Sequence, residues 1–294
     1  GLKARPGFVL GQYSDDSQLA RELILSYVAR KRFDPVDYAA RIADLFSRGR
    51  VVGGGLSTWE AARRLARGVP WDQAGTPSPS AGNGSAMRAG PIGLMFFDDF
   101  KSLVNAAQDQ GIITHKDIRC SAGAVAIAGA VGLALEQKEI DTVNFLTEIA
   151  KLSAMIDPAA ETVFTELIDW VDLDPGEALK SIVLAGYAMG SVDNWQGLTP
   201  FVTGSVLWSL YSFLHTPHSF LDTMATAIGV GGDVDTTAAM AGAVSGAYLG
   251  IENLPQNLAE YLTDQGEWGY EDLIQLAVTL YEIKVQLGIS EPYP

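Results

Sequence analysis

Cysteine and histidine are scarce in this chain of 294 residues, which has one cysteine, Cys120, and three histidines, His115, His215 and His218. A single thiol excludes an internal disulfide framework, and a cytoplasmic setting is the expectation. So few nitrogen and sulfur donors also argue against a zinc centre of the Cys/His kind. Any metal is then held by oxygen, which favours Mg2+, Mn2+ or Ca2+. Cys120 lies in an apolar segment and reads as a small buried hydrophobe. Basic residues are in deficit, 20 against 35 acidic, for a net charge of −15. Such a surface repels phosphate backbones and argues against general nucleic-acid binding. It does not repel a small anion held by bound metal. The longest apolar run, residues 121–135, falls short of the roughly 20 residues of a membrane span. It is built of Ala, Gly and Val, which suits a buried helix packed closely by others, so no membrane association is expected. Period-2 alternation is missing as well, and no linker, charge run or internal repeat divides the chain.

Helical periodicity fills the space left by those absences. Apolar residues recur at helical spacing over residues 17–31 and again from Pro35, which stands at a first-turn position. Further helices are expected over 59–67, capped by Ser57 or Thr58, and over 91–108, 114–136, 141–156, 159–170, 175–190, 204–215, 217–228, 238–250, 252–263 and 270–287. Gly53, Gly54 and Gly55 read as a flexible break. Residues 69–85, rich in Pro, Gly and Ser, read as a long loop, and 191–203 as a second. The expectation is a single all-α domain over 1–294, with small-residue helices at its centre.

The stretch around which the rest is organised is Gly229-Val230-Gly231-Gly232-Asp233-Val234-Asp235-Thr236-Thr237. Two carboxylates two residues apart, followed by a hydroxyl, form a compact cluster of hard oxygens. The glycines let the backbone bend and approach a ligand closely. Asp and Thr are also common helix caps, so alone the stretch reads as an N-cap. A second cluster with the same chemistry, Ser14-Asp15-Asp16-Ser17-Gln18, also precedes a helix. The two clusters can meet around divalent cations, because four close carboxylates need neutralising. Metal ions lower the pKa of bound water, and one carboxylate can take its proton. The literal string Asp-x-Asp-x-Thr also fits phosphatases that use an aspartyl nucleophile. That chemistry needs the motif at the end of a buried strand, which is not what this sequence provides. An EF-hand fits no better, since Thr237 and Ala238 stand where a ligand and the loop glycine are wanted.

The run from Gly231 to Gly250 closely resembles the C-terminal signature of the ADP-ribosylglycohydrolases, the relatives of the dinitrogenase-reductase-activating glycohydrolase. Three further segments resemble that family's motifs, in its order. Ser14-Asp15-Asp16-Ser17-Gln18 looks like its Thr-Asp-Asp-Thr element with Ser for Thr. Gly82-Asn83-Gly84-Ser85-Ala86-Met87-Arg88 looks like its substrate loop. Thr114-His115 resembles a further element before the Ala/Gly helix. The resemblance implies an all-α fold around two Mg2+ or Mn2+ ions, with metal ligands at Ser14, Asp15, Asp16, Asp233, Asp235 and Thr236. It implies catalytic roles among Asp16, Asp233 and Asp235. Gly82, Asn83, Gly84, Ser85, Met87, Arg88 and His115 would hold the ADP-ribose. Met87 and Arg88 have a structural alternative, in which Arg88 ties the loop down by pairing with a carboxylate, and His115 has one as a helix cap. The family usually carries a further helix, with an acidic residue, ahead of the Thr-Asp-Asp element, and the domain expected here lacks it. The implied activity is metal-dependent removal of ADP-ribose from a modified protein or related compound. The alternative is a non-catalytic member that binds ADP-ribose or serves as a structural protein.

Overall fold

The structure, a computed structural model, describes residues 7–186 and 197–287. Its helices in chain order are α1 (Asp15–Arg30), α2 (Pro35–Ser47), α3 (Leu56–Ala66), α4 (Trp71–Ala74), α5 (Gly90–Phe96), α6 (Phe100–Ile112), α7 (Ile118–Glu136) and α8 (Thr142–Ala154). There follow α9 (Ala159–Glu166), α10 (Pro175–Gly186), α11 (Val202–His215), α12 (Phe220–Gly229), α13 (Val234–Leu249), α14 (Gln256–Ala259) and α15 (Tyr270–Gln286). Among the described residues there is no sheet, only isolated bridges between loops. The expectation of an all-α chain holds.

The centre is α7. By length and composition it is apolar enough to cross a membrane, yet every residue from Cys120 to Ala134 is buried inside the protein. Its small residues explain how. Gly93 of α5 lies so close to α7 that a Cβ there would stand 2.4 Å from the Ala128 carbonyl oxygen. On the opposite side a Cβ at Gly123 would stand 2.5 Å from Val202 Cγ2 of α11. Small side chains thus let three helix backbones approach one another, and α11 answers with a large buried surface that includes Trp208, Tyr211 and Phe213.

Several boundaries differ from the sequence expectations for local reasons. The 91–108 helix is two, because Asp99 caps a new start by accepting from the Ser102 amide at 3.1 Å. The central helix begins at Ile118 rather than 114, with Asp117 as its cap. Residues 114–116 are occupied instead by pairing with Thr76. The 69–85 loop contains α4 and a 3-10 turn over Asn83–Ser85. Helix α3 starts at Leu56 behind Gly55 with no side-chain cap, so neither Ser57 nor Thr58 caps it. The 252–263 segment yields only a 3-10 turn, Ile251–Asn253, and α14. Helix α13 starts four residues earlier than expected, at Val234. Of the 191–203 loop, 191–196 lie outside the described residues, as do 187–190 of the expected 175–190 helix.

Candidate active site

Ser14 stands at the N-cap of α1, but its hydroxyl does not cap the helix. It donates instead to Asp16 Oδ2 at 2.5 Å. Asp15 and Asp16 fill the first turn, 6% and 2% exposed. The 50–55 segment is fastened alongside. Asp15 N donates to Val52 O at 2.8 Å. Gln18, fully buried, donates to Arg50 O and accepts from Val52 N, both at 2.9 Å. Gly53 adopts φ +86°, and a Cβ there would come within 3.3 Å of Asp15 Oδ1. The Gly55 backbone amide favours the charged form of Asp15. Gly53 and Gly55 therefore sit beside a carboxylate, a role that the sequence reading missed, while Gly54 faces Phe46, Trp59 and Val51. The only signal for that role was position, directly ahead of a helix start.

The second cluster is built the same way. Gly232 has φ +89° and lies against the chain itself, since a Cβ would stand 2.2 Å from Leu198 O. Asp233 N donates to Leu198 O at 3.0 Å, and Leu198 N donates to Gly231 O at 3.1 Å. The close approach permitted by these glycines is to residue 198. Asp233 occupies the N-cap of α13, yet its carboxylate does not cap the helix. Its Oδ2 accepts from Asn83 Nδ2 at 2.6 Å, and Thr236 Oγ1 lies 3.4 Å from Oδ1. Thr236 and the charges of Asp233 and Asp235 act on Asp16, and helices α1 and α13 are in contact, so their starts meet. Asp235 is the exposed member of the four carboxylates.

Electrostatics follow from that meeting. Burial, then the charge of Asp16, push Asp15 up to about 7. Burial also pushes Asp16 up to about 6, against the Ser14 hydrogen bond that favours its charged form. Asp233 is raised by burial as well, and the Asn83 hydrogen bond opposes the shift.

The 82–88 loop sits beside the cluster and turns most of its side chains inward. Ser85 Oγ donates to Cys120 O at 2.9 Å, and Met87 is buried in the core. Arg88 is fully buried. It donates to Gln110 Oε1, Gln110 O and Thr114 Oγ1, each at 2.8 Å. Gln110 donates in turn to Ser85 O at 2.8 Å. Arg88 therefore does tie the loop down, through an amide and a hydroxyl instead of a carboxylate. The side chains of Ser85, Met87 and Arg88, which the resemblance assigns to ligand binding, are engaged in the interior. His115 caps nothing, since Asp117 caps α7. It lies under the glycine turn, where a Cβ on Gly84 would meet its Cε1 at 2.6 Å and one on Gly82 its Nε2 at 3.4 Å. Its Nδ1 is 2.8 Å from Thr114 Oγ1. Burial and the nearby Arg88 charge lower its pKa to about 3, so the ring is neutral at pH 7. The uncapped first turn of α3 abuts the same loop, with Ser57 Oγ 3.4 Å from Ser80 Oγ.

Asp16 Oδ1 is buried with no hydrogen-bond partner. A buried carboxylate oxygen left so is costly. Ser14, Asp15, Asp16, Asp233, Asp235 and Thr236 offer only oxygen donors, the kind that Mg2+ and Mn2+ prefer. The residues present fit a divalent cation. Among the described residues, though, no three His, Cys, Asp or Glu side chains form a ready-made metal-holding group. A cavity of about 870 Å³ opens at the opposite end of α13, lined by Leu135, Tyr248, Leu280 and Tyr281, and has no carboxylate pair.

The profile of the ADP-ribosylglycohydrolase family matches residues 2–287. The chain belongs to that family. As a member it is a hydrolase. It is 29% identical over 296 residues to the ADP-ribosylhydrolase ARH3 of Homo sapiens, a match covering 92% of this chain and 78% of that protein. To the ADP-ribosylarginine hydrolase Tri1 of Pseudomonas putida it is 24% identical over 259 residues, covering 85% and 62%. A solved structure titled ADP-ribosylglycohydrolase-related protein complex superposes with a TM-score of 0.67 at 25% identity, covering 93% of this chain and 82% of that one.

Proposed function

We propose that this ADP-ribosylglycohydrolase cleaves the glycosidic bond joining ADP-ribose to a modified protein side chain, or to a related small compound, and depends on divalent cations, Mg2+ or Mn2+. The observation that carries the reading is the meeting of two helix starts whose carboxylates and hydroxyls leave those helices uncapped and turn toward one another, with Asp16 Oδ1 unpaired. An ordinary N-cap accepts from a backbone amide of its own helix; Ser14 and Asp233 do not. Ser14, Asp15, Asp16, Asp233, Asp235 and Thr236 would hold the cations. Bound there, they supply positive charge that orients ribose hydroxyls and acidifies water.

The chain's own groups do the rest. Breaking the anomeric bond builds positive charge on the sugar, which a site of four carboxylates stabilises. Asp235, the exposed carboxylate, would take a proton from attacking water. The Gly82 and Gly84 amides and the free amides of the α3 first turn offer N–H donors to a diphosphate. His115 stays neutral beneath them. Thr114 Oγ1, already accepting from Arg88, gives its proton to His115 Nδ1. That tautomer, assigned from the network, carries the ring proton on Nε2 facing the loop.

The test is release of free ADP-ribose from arginine-linked and serine-linked substrates, with Mg2+, Mn2+ and EDTA in parallel. Metal-dependent release from at least one substrate is expected, with a drop of about 10²-fold or more in Asp235→Asn. Absence of release with ADP-ribose still bound points to another linkage. Absence of both release and binding sinks the hydrolytic reading and favours a structural protein.

A further inference from the structure

Asn83 is the one side chain of the 82–88 loop that reaches the carboxylate cluster. It is 6% exposed, and its amide nitrogen has two protons. One goes to Ser205 Oγ at 2.9 Å and the other to Asp233 Oδ2 at 2.6 Å. Ser205 Oγ lies 3.1 Å from Thr199 O and 3.0 Å from Phe201 O, to which it donates. Its oxygen is therefore left to accept from Asn83. The reverse orientation of the amide would set Asn83 Oδ1 against the Asp233 carboxylate, so the network fixes which way the group points. The backbone is held as firmly, with Asn83 N donating to Pro200 O at 2.9 Å and His115 packed under both flanking glycines.

On the other side Asp233 has only the longer contact from Thr236. Its backbone is fixed by Leu198, but its side chain, at the end of a helix and not capping it, has no comparable restraint. We infer that Asn83 is a positioning residue for Asp233: it holds that carboxylate in the orientation in which it receives a cation. In the same way it links the seating of the 82–84 turn to the geometry of the carboxylate pair. This rests on the cation reading proposed above, but it concerns a residue that touches no cation. Groups that orient metal ligands in this way typically account for 10–100-fold in affinity.

Asn83→Ala and Ser205→Ala test it, with Asp233→Asn as reference. Two measurements are needed: crystal structures grown in EDTA, and calorimetric titration with Mn2+. In Asn83→Ala the Asp233 carboxylate is expected to leave its present rotamer in the metal-free crystal. Mn2+ affinity is expected to fall about 10–100-fold. Ser205→Ala, which removes only the anchor of Asn83, is expected to move Mn2+ affinity the same way by a smaller factor, and it decides the matter if Asn83→Ala does not fold. An Asp233 carboxylate unmoved in the crystal, or Mn2+ affinity within twofold of wild type, overturns the inference and leaves Asn83 a turn-former. If wild type itself binds no Mn2+, the cation reading fails separately. The metal-free crystals then still decide whether Asn83 positions Asp233.

Discussion

Asp15 and Asp16 are buried beside other acids, and their protonation feeds directly into stability. Their folded-state pKa values, about 7 and about 6, lie above the unfolded carboxylate value. Between about pH 4 and 7 the folded chain therefore binds more protons than the unfolded one, and stability falls as pH rises through that window. Asp233 shifts in the same direction. Asp117, lowered to about 2 by its Arg119 hydrogen bonds, works oppositely but only below about pH 4. In EDTA the protein is expected to be less stable at pH 7.5 than at pH 5 by on the order of a few kcal/mol, and so to melt at a lower temperature. Calorimetry on an Asp15→Asn, Asp16→Asn double variant should give a flatter pH profile. An equally steep one would mean that these residues are not the source.

At the scale of the helices, what composition reveals is packing distance. Glycine in α5 marks the closest approach to α7, and the 2.4 Å that a Cβ would leave to Ala128 O involves backbone, which cannot rotate away. Gly93→Ala is expected to destabilise by about 1–3 kcal/mol or more, read as a lower urea midpoint. Gly176, exposed in the first turn of α10 with nothing within 4 Å of its Cβ position, is the control. Gly176→Ala should be neutral or stabilise by about 0.4–1 kcal/mol. Comparable losses in both would show that helix propensity, and not the α5–α7 contact, governs the response. The same scale shows what was legible in the sequence. The small-residue run announced a central buried helix because periodicity and residue size are local. The break at Asp99 and the late start of α7 were hidden, since each depends on which backbone partner wins. Thr76 pairs with His115, and neither neighbourhood shows that alone. The two acidic clusters were visible as motifs. The inward turn of Arg88 toward Gln110 and Thr114 was not, because its partners lie 22 and 26 positions away.

The whole molecule brings Asp15 and Asp16 to Asp233 and Asp235 across more than two hundred residues of chain. A group of like charges assembled this way opposes folding until something neutralises it, and the −15 net charge offers no cationic neighbour in excess. Mn2+ binding to the folded state alone would stabilise by about 2.7 kcal/mol at a hundredfold excess over Kd. For a chain of this size that is a rise of a few °C in Tm. The rise is expected to be larger at pH 7.5 than at pH 5, because cations compete with protons for the same oxygens. If both clusters grip the same cations, removing either abolishes the rise. Asp15→Asn, Asp235→Asn and the double variant should then show strongly non-additive losses, as residues acting as a unit do. Additive losses, each single variant keeping part of the Mn2+ response, would mean that the two helix starts bind independently and that the fold does not join them into one site.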